Sequence, residues 1–233
     1  MKKILLISLI LMKIVVFSQE KTLNIGLNYS PVFNNYNFVK PIYDEFGRET
    51  TYEYSSKYNY STGISLEYIK KIYWGVDLNY TTKGYILEYN FISLSQNDPA
   101  IPIKSTVEAG YLDFNIKIGY NYNWNKKISI IPNIKLIYSG LINDRITTLS
   151  GDNNEYTSKE GAGILIKQDL AKSIFSSGIG INVKVSVLKS LSIGIEPQLL
   201  YSFNNISEKA IQKNTPIYAV KIGVYYKINK DEE

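Results

Sequence analysis

Cysteine and histidine are both absent from the sequence. Without cysteine there are no disulfides and no thiolate nucleophile, and a bacterial lipoprotein anchor is excluded. Without histidine the chain lacks the commonest general base and the commonest zinc ligand. Long apolar runs are missing too. The first segment, "MKKILLISLILMKIVVFSQE", carries Lys2 and Lys3 and then an apolar stretch from Ile4 to Met12 that Lys13 interrupts. That is too short for a membrane-spanning helix and suits a secretory signal. Val16 and Ser18 fit the small subsites of a cleavage site, so residues 1–18 are expected to be a signal peptide and residues 19–233 the mature domain. Strong charge of one sign is also lacking. The formal net charge of +5 includes Lys2, Lys3 and Lys13, which leaves the mature chain nearer +2 and offers no electrostatic footprint for nucleic acid.

What the chain has is alternation. Eight segments place apolar residues at every second position, and none of comparable length follows a helical period. "GIGINVKVSV" (Gly178 to Val187) is the cleanest: Ile179, Ile181, Val183, Val185 and Val187 on one face, Gly180, Asn182, Lys184 and Ser186 on the other. The short connections fall at Ile69-Lys70-Lys71, at "NWNKK" and at Leu188-Lys189-Ser190, whereas those at about 31–56, 92–105, 144–172 and 204–215 are long and polar. Short turns on one side and long loops on the other characterise outer-membrane barrels. The predicted fold is therefore all-β: an eight-stranded antiparallel up-and-down transmembrane β-barrel with short periplasmic turns and long extracellular loops, in the outer membrane.

Tyrosine, at 21 copies, sorts to the strand ends. Tyr58, Tyr60, Tyr138, Tyr201 and Tyr218 fall at the loop side, and Tyr68, Trp74, Tyr122, Trp124 and Tyr226 at the turn side. These aromatics are expected to form two membrane-interface girdles. Pro132 and Pro197 fall inside strands on the outward face, where each removes a ladder donor, and a local bulge or an unpaired carbonyl is expected there.

The opposite parity supplies the lumen: Glu67, Asp77, Asp113, Lys117, Lys135, Lys184, Glu196, Lys221 and Lys227. An eight-stranded barrel is just wide enough to be filled by its own side chains, and buried charges there must be paired or hydrated. The expected result is a charge network that plugs the barrel. Pairing Val187 with Leu191 sets Lys184 opposite Gly194, with Glu196 as its diagonal partner. Seven glycines of the same parity (Gly26, Gly63, Gly75, Gly119, Gly180, Gly194 and Gly223) are expected to make room for the lysines and to permit curvature.

Chemistry beyond this is thin. Glu67 and Asp77 share a hairpin face and resemble a general acid–base pair, but neighbouring lysines make them a structural salt-bridge pair. Asp152, Asn153, Asn154 and Glu155 offer oxygen donors without the spacing of a calcium loop, and "GAG" at 161–163 opens no helix. No enzymatic activity, cofactor or metal is expected. A charge-selective, porin-like passage is the alternative, and the aromatic loop 31–56 and loop 144–172 are candidates for an envelope-protein partner.

The motifs "YLDFNIKIGYNY" (Tyr111 to Tyr122), "IIPNIKLIYSG" (Ile130 to Gly140), "SSGIGINVKVSVLKSLSIGIEPQLLYSF" and "YAVKIGVYYKI", with the Ser18-Gln19 junction, resemble the PorT-like outer-membrane β-barrel family of Gram-negative bacteria. The resemblance implies a non-enzymatic barrel, some of whose relatives serve protein secretion. The chain departs from general outer-membrane practice in ending "KINKDEE" rather than on an aromatic residue.

Overall fold

Strict alternation over 11 to 14 residues, with β-branched residues on the apolar parity, leaves the backbone no stable choice but the extended strand. The computed structural model describes residues 22–34, 37–38, 42–43, 49–50, 52–91, 101–150, 155–158, 170–206, 212–213 and 216–228. Residues 1–18, read as a signal peptide, lie outside these, as do 151–154 and 161–163.

Eight strands form the wall: β1 (Thr22–Phe33), β2 (Asn59–Ile69), β3 (Ile72–Phe91), β4 (Ile101–Tyr120), β5 (Ile128–Ser150), β6 (Ser173–Ser186), β7 (Leu191–Ser202) and β8 (Ile217–Ile228). Each pairs antiparallel with its sequence neighbour, and β8 returns to β1 through Leu23 opposite Ile228, so the eight-strand wall closes on itself. From Lys184 the inward positions run through Gly194, Gly223, Asn28, Gly63, Asn79, Asp113 and Ser139 to Ile174, back on β6. The circuit closes ten residues from its start, and that offset fixes the strand tilt and the narrow bore.

Burial is inverted relative to a soluble protein. Ile64, Ile116, Ile134, Leu136, Ile179 and Ile195 are at least half exposed, whereas Glu67, Lys117, Glu196 and Lys221 are between 0% and 3% exposed. An apolar exterior round a charged interior, with all eight wall strands paired on both sides, is the arrangement that lipid demands. The protein has the fold of a transmembrane β-barrel.

Of the two outcomes expected at the prolines, the lapse in pairing occurs and the bulge does not. On either side of Pro197 the β6–β7 register is unchanged, Gly180 opposite Gln198 and Val183 opposite Ile195, and only the two intervening pairings are missing. Pairing likewise lapses opposite Ile131 and Pro132, between Asn133–Gly119 and Ile130–Tyr122, without a shift. The lost donor is absorbed by a two-residue gap rather than a bulge. A bulge does occur, between Leu141 and Asn143 on β5, where no proline marks it.

The wall is also taller on one side than the loop boundaries imply. β3, β4 and β5 run for 20, 20 and 23 residues, against the roughly 9–11 that a tilted strand needs to cross a bilayer. Tyr52–Ser56 adds to the edge of β3, and Glu155–Ser158 to that of β5. Parts of segments 31–56 and 144–172, expected as loops, therefore continue the sheet.

Candidate functional site

The interior is layered. Nearest the turns lies a chain of buried ion pairs built from strands all round the wall. Lys117 on β4 sits 3.0 Å from Glu67 Oε1 and 2.9 Å from Asp77 Oδ1. Lys221 on β8 donates to Asp77 Oδ2 at 2.9 Å and to the Ser65 hydroxyl at 3.1 Å. Lys184 on β6 pairs with Glu67 and lies 3.6 Å from the Tyr225 ring centroid. The Tyr73 hydroxyl donates to Glu67 at 2.8 Å. A second cluster joins Lys135 to Glu196 at 2.7 Å, with the Asn133 amide donating to the same oxygen at 2.9 Å. Three carboxylates and four ammonium groups thus stand in contact where almost no surface reaches water, each ammonium with a carboxylate partner and one positive charge in excess.

Glycine provides the space. A Cβ at Gly75 would stand 3.2 Å from Lys117 Cε and 3.3 Å from Glu67 Cγ. At Gly180 it would meet Glu196 Oε1 at 2.6 Å. Of the seven glycines expected to make room for lysines, Gly75 does so for Lys117 and Gly194 for Lys184, whereas Gly180 makes room for Glu196 and Gly26 and Gly223 for Tyr225.

The predicted diagonal partnership does not form. Lys184 stands opposite Gly194, as the hairpin register requires. Glu196, however, leans over Gly180, farther up β6, and is held there by Lys135 and Asn133. Lys184 instead crosses the lumen to Glu67. Two further residues predicted for the network lie apart from it. Asp113 is buried one layer toward the loops, where the Thr81 hydroxyl donates to it at 2.7 Å. Lys227 is half-buried and lines the turn-side mouth. Among the described residues, no ion pair joins either to the chain.

Above the charges comes a layer of amides and hydroxyls (Asn28, Ser61, Asn79, Thr81, Asn115 and Ser139), all buried. Lys83 donates to the Ser139 hydroxyl at 2.9 Å and lies 4.8 Å from the Tyr111 ring. Toward the loop side lies a buried apolar cluster of Tyr85, Val107, Ala109, Tyr111, Leu170, Ala171, Ile174 and Ile206. The Tyr111 hydroxyl donates to the Ala171 carbonyl at 3.0 Å, and the Ala171 amide to Ile206 at 2.8 Å, which fastens two connecting segments across the opening.

Four inward tyrosines (Tyr73, Tyr85, Tyr111 and Tyr225) escape a reading that places tyrosine in the girdles, although their parity marks them. Lys83 lies just beyond the segment read as the third strand, and the same parity would have found it.

On the outside, Tyr58, Trp74, Tyr122, Trp124, Tyr138, Tyr201, Tyr218 and Tyr226 are all exposed. Tyr60 and Tyr68 are half-covered, by stacking on Tyr29 at 6.2 Å and on Trp74 at 5.5 Å. Among the described residues no group of three or more carboxylate, histidine or cysteine side chains could hold a metal ion.

No protein-family model and no curated protein matches the chain. Solved structures similar to it include the outer-membrane protein OprG from Pseudomonas aeruginosa, 11% identical, with 91% of this chain and 97% of that one covered and a TM-score of 0.49. Outer membrane protein W of E. coli is 7% identical, with 91% and 100% covered and a TM-score of 0.44. Neisserial surface protein A is 13% identical, with 89% and 97% covered and a TM-score of 0.41.

Proposed function

We infer that the protein is a non-conducting outer-membrane barrel with a structural or interaction role, of the PorT-like kind, delivered by a signal peptide at residues 1–18. The observation that carries this reading is the chain Lys184–Glu67–Lys117–Asp77–Lys221, which ties β6, β2, β4, β3 and β8 together inside the lumen. Moving a solute past it means parting buried ion pairs, at about 3–5 kcal/mol for each partner left alone. The apolar cluster under the loops adds a second barrier of different chemistry. In this reading the ten girdle aromatics anchor the barrel at the two interfaces, the turns face the periplasm, and segments 31–56 and 144–172 offer the surface for an envelope partner.

Reconstitution in planar bilayers tests the reading. The expected outcome is no steady conductance from the unmodified protein, and measurable leak once Glu67 and Asp77 are both replaced by Ala. A stable open channel in the unmodified protein would favour porin-like passage instead.

A further inference from the structure

We propose that the turn-side mouth of the barrel is a binding bowl for an acidic peptide segment. The inference goes beyond the non-conducting reading and stands whichever side of the membrane the turns face.

A cavity of about 740 Å³ opens between the turns, and five lysines line it: Lys70, Lys126, Lys184, Lys189 and Lys227. They come from the β2–β3 turn, the β4–β5 turn, the end of β6, the β6–β7 turn and β8, so cations stand all round the rim. Among the described residues lining it there is no carboxylate. Glu67 engages Lys184 from the lumen side. Lys126 and Lys189 are exposed, and Lys227 is half-buried. Inside the barrel, by contrast, every buried ammonium in the ion-pair chain faces a carboxylate. Lys126, Lys189 and Lys227 line the mouth with no carboxylate among the described lining residues.

Like charges gathered round a concave, partly enclosed surface repel one another and focus a positive potential into the space between them. An anion entering the bowl relieves that repulsion. The spread of lysines over three turns and two strand ends selects a ligand with several spaced negative charges, since one small anion reaches only some of them. All the cations are lysines, compact point charges on flexible stems that accept charges at variable spacing, rather than the rigid arginine fork suited to a single phosphate. Asn121 and the serines between the lysines add hydrogen-bonding groups matched to a peptide backbone. A run of Asp and Glu side chains meets all of these conditions.

The test uses the full-length mature protein in nanodiscs of zwitterionic lipid, with fluorescein-labelled hexaglutamate followed by fluorescence anisotropy. Saturable binding that weakens as salt rises is expected. The triple variant Lys126→Gln/Lys189→Gln/Lys227→Gln should lose about tenfold or more in affinity, as the removal of three partly screened charge contacts implies. The control Lys71→Gln/Lys127→Gln/Lys172→Gln removes the same charge outside the bowl and should lose less than about twofold. Both variants should keep the heat-dependent gel shift of a folded barrel. Equal losses in the two variants would overturn the proposal, because net charge alone would then be at work. So would tight binding of inorganic tripolyphosphate with none of hexaglutamate, or no saturable binding of the peptide.

Discussion

Lys184 and Glu67 stand on strands four steps apart in either direction round an eight-stranded circuit, and their side chains pair inside the barrel. The bore that shear and strand number leave is narrow enough for a lysine on one wall to reach a carboxylate on the opposite wall. The network is thus set by the cross-section of the barrel rather than by any hairpin within it.

Two glycines of the wall, Gly180 beside the charges and Gly140 on the outer face, are expected to be unequal. Gly180→Ala places a methyl against the Glu196 carboxylate, 2.6 Å from Oε1, and forces it from Lys135 and Asn133. It should lower stability by about 1–3 kcal/mol. Gly140→Ala meets only the Tyr138 ring, at 3.8 Å, and should be neutral or stabilising by up to about 1 kcal/mol. Reversible unfolding of both variants in lipid vesicles checks the contrast. Equal effects would show that the space at Gly180 is not what holds Glu196.

Pro197→Val restores an N–H where the β6–β7 ladder lapses. Because the register is already continuous across the gap, the new donor has a partner strand in place. A gain of about 0.5–1.5 kcal/mol is expected, together with slower hydrogen exchange at Ile181 and Asn182. A loss of stability would mean that the lapse has a cause other than the proline.

Topology is open to proteolysis of whole cells. Added protease is expected to cut within segments 31–56 and 144–172 and to leave the turn at Lys189 intact, since short turns face the periplasm. Cleavage at Lys189 with both segments whole would invert the orientation.

The wall was legible in the sequence because period-two alternation is a local property, and lipid makes it strict. All eight strands follow from it, as do the three turns and the hairpin register that sets Lys184 opposite Gly194. The parity of Glu67, Asp77, Lys117, Lys135, Lys184, Glu196 and Lys221 placed each of them inside. Partnership was not legible in the same way, because it depends on shear, and shear is the sum of every register round the circuit. A rule for hairpin neighbours therefore offered Glu196 to Lys184, when Lys135 reaches Glu196 from the other side. The continuation of β5 to Ser150 was hidden for a different reason. The bulge at Leu141 and Asn143 flips the parity, and the alternation reads as if the strand had ended.

Two double-mutant cycles test the cross-barrel pairing most directly, with unfolding free energies measured in lipid vesicles for Glu67→Gln, Lys184→Met, Glu196→Gln and the relevant pairs. Each single change leaves a buried charge without its partner and should cost up to about 3–5 kcal/mol. The Glu67/Lys184 cycle should show coupling of about 1 kcal/mol or more, and the Glu196/Lys184 cycle should be additive within about 0.5 kcal/mol. Strong coupling of Lys184 to Glu196, with additivity at Glu67, would contradict the account and return the pairing to the hairpin.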